Sequence, residues 1–163
     1  KAGKTPELDR PLDHGVEIDV HLPALIPDTY LPDVHARLMM YKRIASAASE
    51  GELDELQVEM IDRFGLFPEQ VRRLFSISSL KLKAASLGIK KIDFGAKSGR
   101  IVFDGEDAQV DPVRLVQLVQ SRSKVYRFDG PQTLRVQLQM EDAEIRLKSL
   151  DNLLDQLTVR DAA

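Results

Sequence analysis

The periodic part of the chain opens at Val16, where V-E-I-D-V-H-L alternates apolar and polar positions. Val16, Ile18, Val20 and Leu22 share one face, which predicts a strand buried on one side. Pro23, Pro27 and Pro32 then bias the backbone toward extended conformations and predict a connector. Beyond it the period becomes helical. Asp33 is a capping residue for Val34, Leu38, Tyr41, Ala45 and Ala48, spaced alternately by 4 and 3, with Gly51 as the stop. A second helix is expected from about Glu52, with Leu53, Leu56, Met60 and Phe64 in one stripe and Gly65 at its C-cap. Pro68 opens a third, which turns Val71, Leu74, Phe75, Leu82 and Ala85 inward and closes at Gly88.

After Gly88 the period shortens. Ile92 and Phe94, then Ile101 and Phe103, flank A-K-S-G as a hairpin. Asp111-Pro112 starts a short helix with Leu115, Val116 and Val119. Tyr126 and Phe128 face Leu134, Val136 and Leu138 across Asp129-Gly130-Pro131, a second hairpin. A last helix from about Asp142 carries Ala143, Leu147, Leu150, Leu154 and Leu157. The predicted class is α+β: an N-terminal strand, a three-helix block, a small mostly antiparallel sheet from two hairpins, and flanking C-terminal helices. The expected core is Leu38, Tyr41, Leu56, Met60, Phe64, Leu74, Phe75, Ile92, Phe103, Val116, Val136 and Leu150. Residues 1–14 mix proline, glycine and charge without period and read as a linker or fragment edge; 15–158 form the domain and 159–163 a tail. A first residue other than Met suggests a domain excised from a longer protein.

Composition narrows the function more than the fold. With 163 residues, 43% apolar and 30% charged, the chain has the makings of a folded core. It has no cysteine, which removes disulfides, thiolate nucleophiles and zinc ribbons together. No apolar run approaches the ~20 residues of a membrane span. A soluble, cytoplasmic, monomeric domain without membrane contact is the expectation. Catalytic motifs are missing. Gly95-Ala96-Lys97-Ser98-Gly99 has a phosphate loop's ingredients in the wrong order, within a hairpin rather than before a helix. His14, His21 and His35 are scattered, and Ser76, Ser78 and Ser79 lie on a helix with no histidine nearby in sequence. The expectation is a non-enzyme with no cofactor or metal.

Charge is uneven. The net charge is −3, yet Arg72, Arg73, Lys81, Lys83, Lys90, Lys91, Lys97 and Arg100 fall between residues 70 and 100 against one acid, Asp93. Asp104, Glu106, Asp107 and Asp111 follow. The basic segment supports one alternative, a nucleic-acid-binding accessory domain. Against it stand the negative net charge and the shortage of aromatics for stacking on bases: Phe75 and Phe94 both fall at core positions. The second predicted helix has a different peculiarity. Glu55, Glu59 and Asp62 recur at i, i+4 and i+7, opposite the apolar stripe, with Arg63 beside Glu59. One explanation is a solvated face with an internal Glu–Arg pair worth ~0.3–0.5 kcal/mol. The other is a docking strip, whose acids repel one another until a basic partner relieves them.

The stretch from Ile18 to Lys91 carries a resemblance. Ile18-Asp19, Ala24, Ile26-Pro27, Tyr30 and Asp33 come first, followed by Arg37-Leu38, Tyr41-Lys42-Arg43 and Ala45. Glu52 to Leu56 come next, then Ile61 to Gly65 with Pro68, and last Leu80-Lys81 through Ile92. In that order the blocks resemble the C-terminal domain of bacterial transcription-repair-coupling factors, the Mfd family. The resemblance is strong over about half the chain; residues 93 to 158 agree only in length and type. It implies a regulatory module of an ATP-driven double-stranded DNA translocase, whose ATP and Mg belong to motor domains elsewhere in the parent protein. That parent displaces stalled RNA polymerase and recruits UvrA. The resemblance further implies that this domain packs on a UvrB-like N-terminal module, masks its UvrA-binding surface and restrains the motor. The family's contacts come from the second-helix block and carry over onto Glu59, Asp62 and Arg63, with Glu55 on the same strip.

Overall fold

The computed structural model describes residues 15–105 and 108–158. The expected linker 1–14, the tail 159–163, and the acids Glu106 and Asp107 lie outside the described residues. The fold is α+β, with ten elements in the order β1 (Glu17–Asp19), α1 (Val34–Ala45), α2 (Glu50–Phe64), α3 (Glu69–Ser86), β2 (Ile89–Phe94), β3 (Ser98–Phe103), α4 (Pro112–Ser121), β4 (Tyr126–Phe128), β5 (Thr133–Gln137) and α5 (Ala143–Leu157). The chain divides into two compact units: Pro23–Leu82, and a second built from Val16–Leu22 together with residues from 83 onward.

The first unit is the helical block. Its connector is fixed by side chains the sequence had marked. Tyr41 Oη accepts from the Ile26 backbone N–H at 2.7 Å, and Tyr30 Oη donates to the Gly65 carbonyl at 2.8 Å. Asp33 caps α1 through the Ala36 N–H, as expected. Gly51 does not stop α1. Ser49 caps α2 through the Glu52 N–H and Glu52 Oε1 accepts from the Ala48 N–H, so the helix starts at Glu50 with Gly51 in its first turn. Met40, Ile44, Ala47, Leu53, Leu56, Met60, Val71 and Phe75 form the core here with Ile26 and Leu31. The facing of α1 differs from expectation: Leu38 is 60% exposed and Val34 59%, while Met40 and Ile44 are buried. The inward stripe begins at Arg37, a polar residue, which disguised it. The Arg37 guanidinium donates instead to the Leu31 and Pro32 carbonyls at 2.8 and 2.9 Å.

The second unit contains one five-stranded sheet in the order β1-β2-β3-β5-β4. Only β1–β2 is parallel, in register Ile18 with Ile92; the other pairings are antiparallel. Both hairpins form where expected. Ile92, Ile101 and Leu134 line the buried face, with Leu150, Leu153, Leu154 and Leu157 of α5 among the fully buried side chains. Gly99 has a packing reason: a Cβ there would collide with the buried Phe94 ring. Val116 is 44% exposed rather than core, because α4 turns Leu118 inward. Of the remaining expected core, Leu56, Met60, Phe75, Ile92, Phe103, Val136 and Leu150 are buried, and Tyr41, Phe64 and Leu74 half-buried.

Arg146 is the one buried charged residue among those described, at 5% exposure. Its guanidinium donates to the carbonyls of Met140 (2.9 Å), Val20 (2.8 Å), His21 (3.3 Å) and Glu141 (3.4 Å). Removing a donor from buried carbonyls costs about 1–3 kcal/mol for each group left unpaired. Arg146→Met should therefore lower unfolding free energy by about 3 kcal/mol or more in urea melts, and Phe75→Ala by about 3–5 kcal/mol. Leu38→Ala, on an exposed position, should stay within about 0.5 kcal/mol.

Candidate docking surface on the second helix

The outer edge of α2 bears all four residues of the predicted strip, but the structure gives them different roles. Glu59 is engaged within its own unit. Arg43 of α1 reaches across with both terminal nitrogens, Nη1 to Oε2 at 2.6 Å and Nη2 to Oε1 at 2.7 Å. Arg63 Nη1 adds a third contact to Oε2 at 3.1 Å. The forked geometry is the strongest an arginine offers a carboxylate. Hydrogen bonding from Arg43 is the main cause that holds the Glu59 carboxyl down to about 2 from an ordinary 4.5; desolvation opposes it, and the Arg63 hydrogen bond and the charges of both arginines add to the lowering. The internal Glu59–Arg63 pair of the solvated-face reading forms, and Arg43 adds a fork that neither reading of the strip contained. The missing signal was an inter-helix partner 16 positions away, which no helical wheel contains.

Glu55 and Asp62 behave otherwise. Both are exposed, and neither side chain makes a hydrogen bond or ion pair among the described residues. Arg63 is oriented twice, by Glu59 and by the Phe64 ring 4.8 Å beneath its guanidinium carbon. Phe64 in turn meets Tyr30 edge to face at 6.2 Å. Beside the strip Val58 is 61% exposed, a position sequence analysis passed over. At 100° per residue it lies next to both Glu55 and Asp62. The edge therefore presents two unpaired carboxylates, one oriented guanidinium and an exposed apolar side chain, the mixture of an interface rim with a small dry centre.

Other sequence candidates resolve differently. Arg73 donates to Glu69 and to the Pro23 carbonyl, and Lys83 to Asp151 and Asp155, so part of the basic segment is internally paired. Gly95 and Ser98 close a tight hairpin turn, Gly95 N–H to the Ser98 carbonyl at 2.8 Å. Ser79 donates to Glu50. His21 bonds Asp93 at 2.7 Å, His35 is an exposed residue of α1, and His14 lies outside the described residues. Among the described residues no three metal-ligating side chains gather, and no helix is long and apolar enough to cross a membrane.

Comparison with known proteins agrees with this architecture. The TRCF domain family matches residues 20–115. The transcription-repair-coupling factor of Haemophilus influenzae is 44% identical over 94% of this chain, and that of Escherichia coli 40% identical over 96%. The chain spans only 13% and 14% of the length of these two relatives. A crystal structure of the C-terminal domain of a transcription-repair coupling factor superposes with a TM-score of 0.74 over 88% of this chain and 91% of the other. At 22% identity that likeness establishes the fold.

The Arg43–Glu59 fork has a pH signature. Because the folded value lies below the ordinary one, its contribution is complete above about 4.5, shrinks as pH falls, and is gone below about 2. An NMR titration of the Glu59 side-chain carboxyl should give a midpoint near 2. In Arg43→Gln the midpoint should move upward toward 4.5, Arg63 alone remaining as partner. An unmoved midpoint would show that Arg43 is not the cause.

Proposed function

The chain belongs to the transcription-repair-coupling-factor family through its TRCF domain, and on that premise we propose that it is the non-catalytic regulatory domain of such a protein. It docks by the Glu55, Glu59, Asp62 and Arg63 edge of α2 on the UvrB-like N-terminal module of its parent. Docking masks the surface that binds UvrA and restrains an ATP-dependent double-stranded DNA translocase that removes stalled RNA polymerase. The domain itself carries no cofactor; ATP and Mg act in the motor domains, and the protein works in the cytoplasm as a partner of polymerase, UvrA and DNA.

The supporting observation is the state of Asp62 and Glu55: exposed, without a partner among the described residues, and adjacent to the exposed Val58. An acid with no local partner contributes nothing to this fold, whereas in an interface with a basic side chain it is worth a desolvated charge pair. Glu59 serves differently. Already paired with Arg43, it anchors Arg63 and so sets the outline of the edge.

Removing one member of a desolvated interfacial charge pair costs about 2–5 kcal/mol. Each ~1.4 kcal/mol is a tenfold change in a closed–open equilibrium. The Glu59→Ala/Asp62→Ala/Arg63→Ala variant of the full-length protein should accordingly show raised basal ATPase activity and bind UvrA without polymerase. Asp62→Ala alone should shift both in the same direction while leaving the melting temperature of the 163-residue chain unchanged. Wild-type ATPase and UvrA binding in the triple variant, with the fold intact, would make this edge a solvated face.

A further inference from the structure

The sheet of the second unit buries one face and opens the other. Its register sets Asp19, Asp93, Arg100, Arg135 and Arg127 directly opposite one another on five successive strands, β1 through β4 in sheet order. All three arginines are exposed. Neighbouring strands lie ~4.8 Å apart, so three guanidinium-bearing positions fall within ~10 Å. Like charges placed directly opposite destabilise an antiparallel pair, and here two such pairs adjoin: Arg100 with Arg135, and Arg135 with Arg127.

The row does not neutralise itself. Asp93 stands opposite Arg100 but is bonded instead to His21 at 2.7 Å. Arg135 gives only its Nε to Asp129, at 2.8 Å. Arg100 and Arg127 make no side-chain hydrogen bond or ion pair among the described residues. With Asp129 on one nitrogen of Arg135 and Asp19 and Asp93 at the far end of the row, the guanidiniums of Arg100 and Arg127 and the terminal nitrogens of Arg135 are left without a protein partner among the described residues.

We propose that this arginine row is a binding surface for the phosphodiester backbone of duplex nucleic acid, distinct from the docking edge of α2 and independent of it. Guanidinium forks match phosphate oxygens, and phosphate contacts need no apolar anchor. An acidic protein segment would need one, since protein interfaces are built around buried aromatic or aliphatic side chains. The row supplies none: Phe128, 44% exposed, stands opposite the buried Leu134 and so belongs to the other face. The net charge of −3 does not oppose this, because charges beyond ~10 Å are largely screened at physiological salt.

The test is fluorescence anisotropy of the 163-residue chain with a labelled random-sequence DNA duplex, across 50 to 200 mM NaCl. Three neutralised phosphates give a slope of about −2.7 in log K against log salt, or about a 40-fold loss of affinity over that range. Arg100→Gln/Arg127→Gln/Arg135→Gln should lose most of that slope and bind at least tenfold more weakly at 50 mM; the corresponding triple Lys variant should keep the slope. Arg100→Gln and Arg127→Gln singly break no ion pair, so each tests the surface without risk to the fold and should reduce the slope by about one. No binding at 50 mM salt, a slope unchanged in the Gln variants, or equal affinity for polyglutamate, which would make the partner an acidic protein, would each overturn the proposal.

Discussion

A positive charge buried without a carboxylate holds the second unit together. Arg146 sits in the first turn of α5, near the positive end of that helix's dipole, where a cation is disfavoured twice, by burial and by the dipole. Four backbone carbonyls offset this, two just beyond β1 and two in the link between β5 and α5. Those carbonyls need donors as much as the guanidinium needs acceptors: the backbone N–H groups of Leu138 and Met140 bond the β2–β3 turn, and Arg146 serves the carbonyls of Met140 and Glu141. The geometry reaches as far as His21, the one non-glycine residue with positive φ among those described, at 53°. Its carbonyl is bonded by Arg146, its N–H by Asp19 and its ring by Asp93, three restraints that hold a strained backbone in place. The consequence is topological. β1 is only three residues long, and the helical block is inserted in the chain between it and the rest of its sheet. Arg146 supplies the long-range bonds that such a short parallel strand lacks.

The same device occurs twice more. Arg37 in the first turn of α1 donates to Leu31 and Pro32, and Arg114 in the first turn of α4 donates to the Gln156 and Thr158 carbonyls. In each case an arginine in the first turn of a helix donates to backbone carbonyls: Arg37 to the connector before α1, and Arg114 to the C-terminal end of α5, where Thr158 also bridges Val110. This also explains what the sequence hid. Caps are local chemistry, so Asp33, Asp111 and Asp142 were legible, as were both hairpins, whose alternation is written in consecutive residues. An arginine opening the inward stripe looks polar on a helical wheel and pushes the apparent apolar face around the helix. Leu38 therefore falls on the apparent apolar face, while Met40 and Ile44, three and seven residues after Arg37, occupy the core. At α5 the stripe was long enough to survive the interruption. An arginine in phase with Leu150, Leu153 and Leu157 was nevertheless a visible sign of a buried charge seeking carbonyls.

The proposed docking edge was half legible for a related reason. Periodicity places Glu55, Glu59 and Asp62 on one side of α2, but which of them is free depends on α1, and that is tertiary information. Arg43 settles the matter by forking onto Glu59. Several residues that carry the family resemblance prove to be internal fasteners: Tyr30, Asp33, Arg37 and Tyr41 all bond the connector or cap the helix after it. Such residues identify a fold. Function has to be sought among polar groups the fold leaves unsatisfied.

By that criterion the net charge of −3 conceals more than it tells. Within that total of 23 basic and 26 acidic side chains lie an acidic edge on α2 in one unit and an arginine row on the sheet of the other, each with groups that have no partner among the described residues. Screening over ~10 Å makes each surface act on a partner through its own local field rather than through the total. Opposite signs on separate units also impose selectivity. A polyanion is repelled by the α2 edge and a basic protein surface by the arginine row, so neither partner competes for the other's site. A chain that made both contacts with one charge sign would bind its protein partner and nucleic acid interchangeably. If both proposed contacts form, segregating the signs lets one small domain meet two chemically different partners without confusing them.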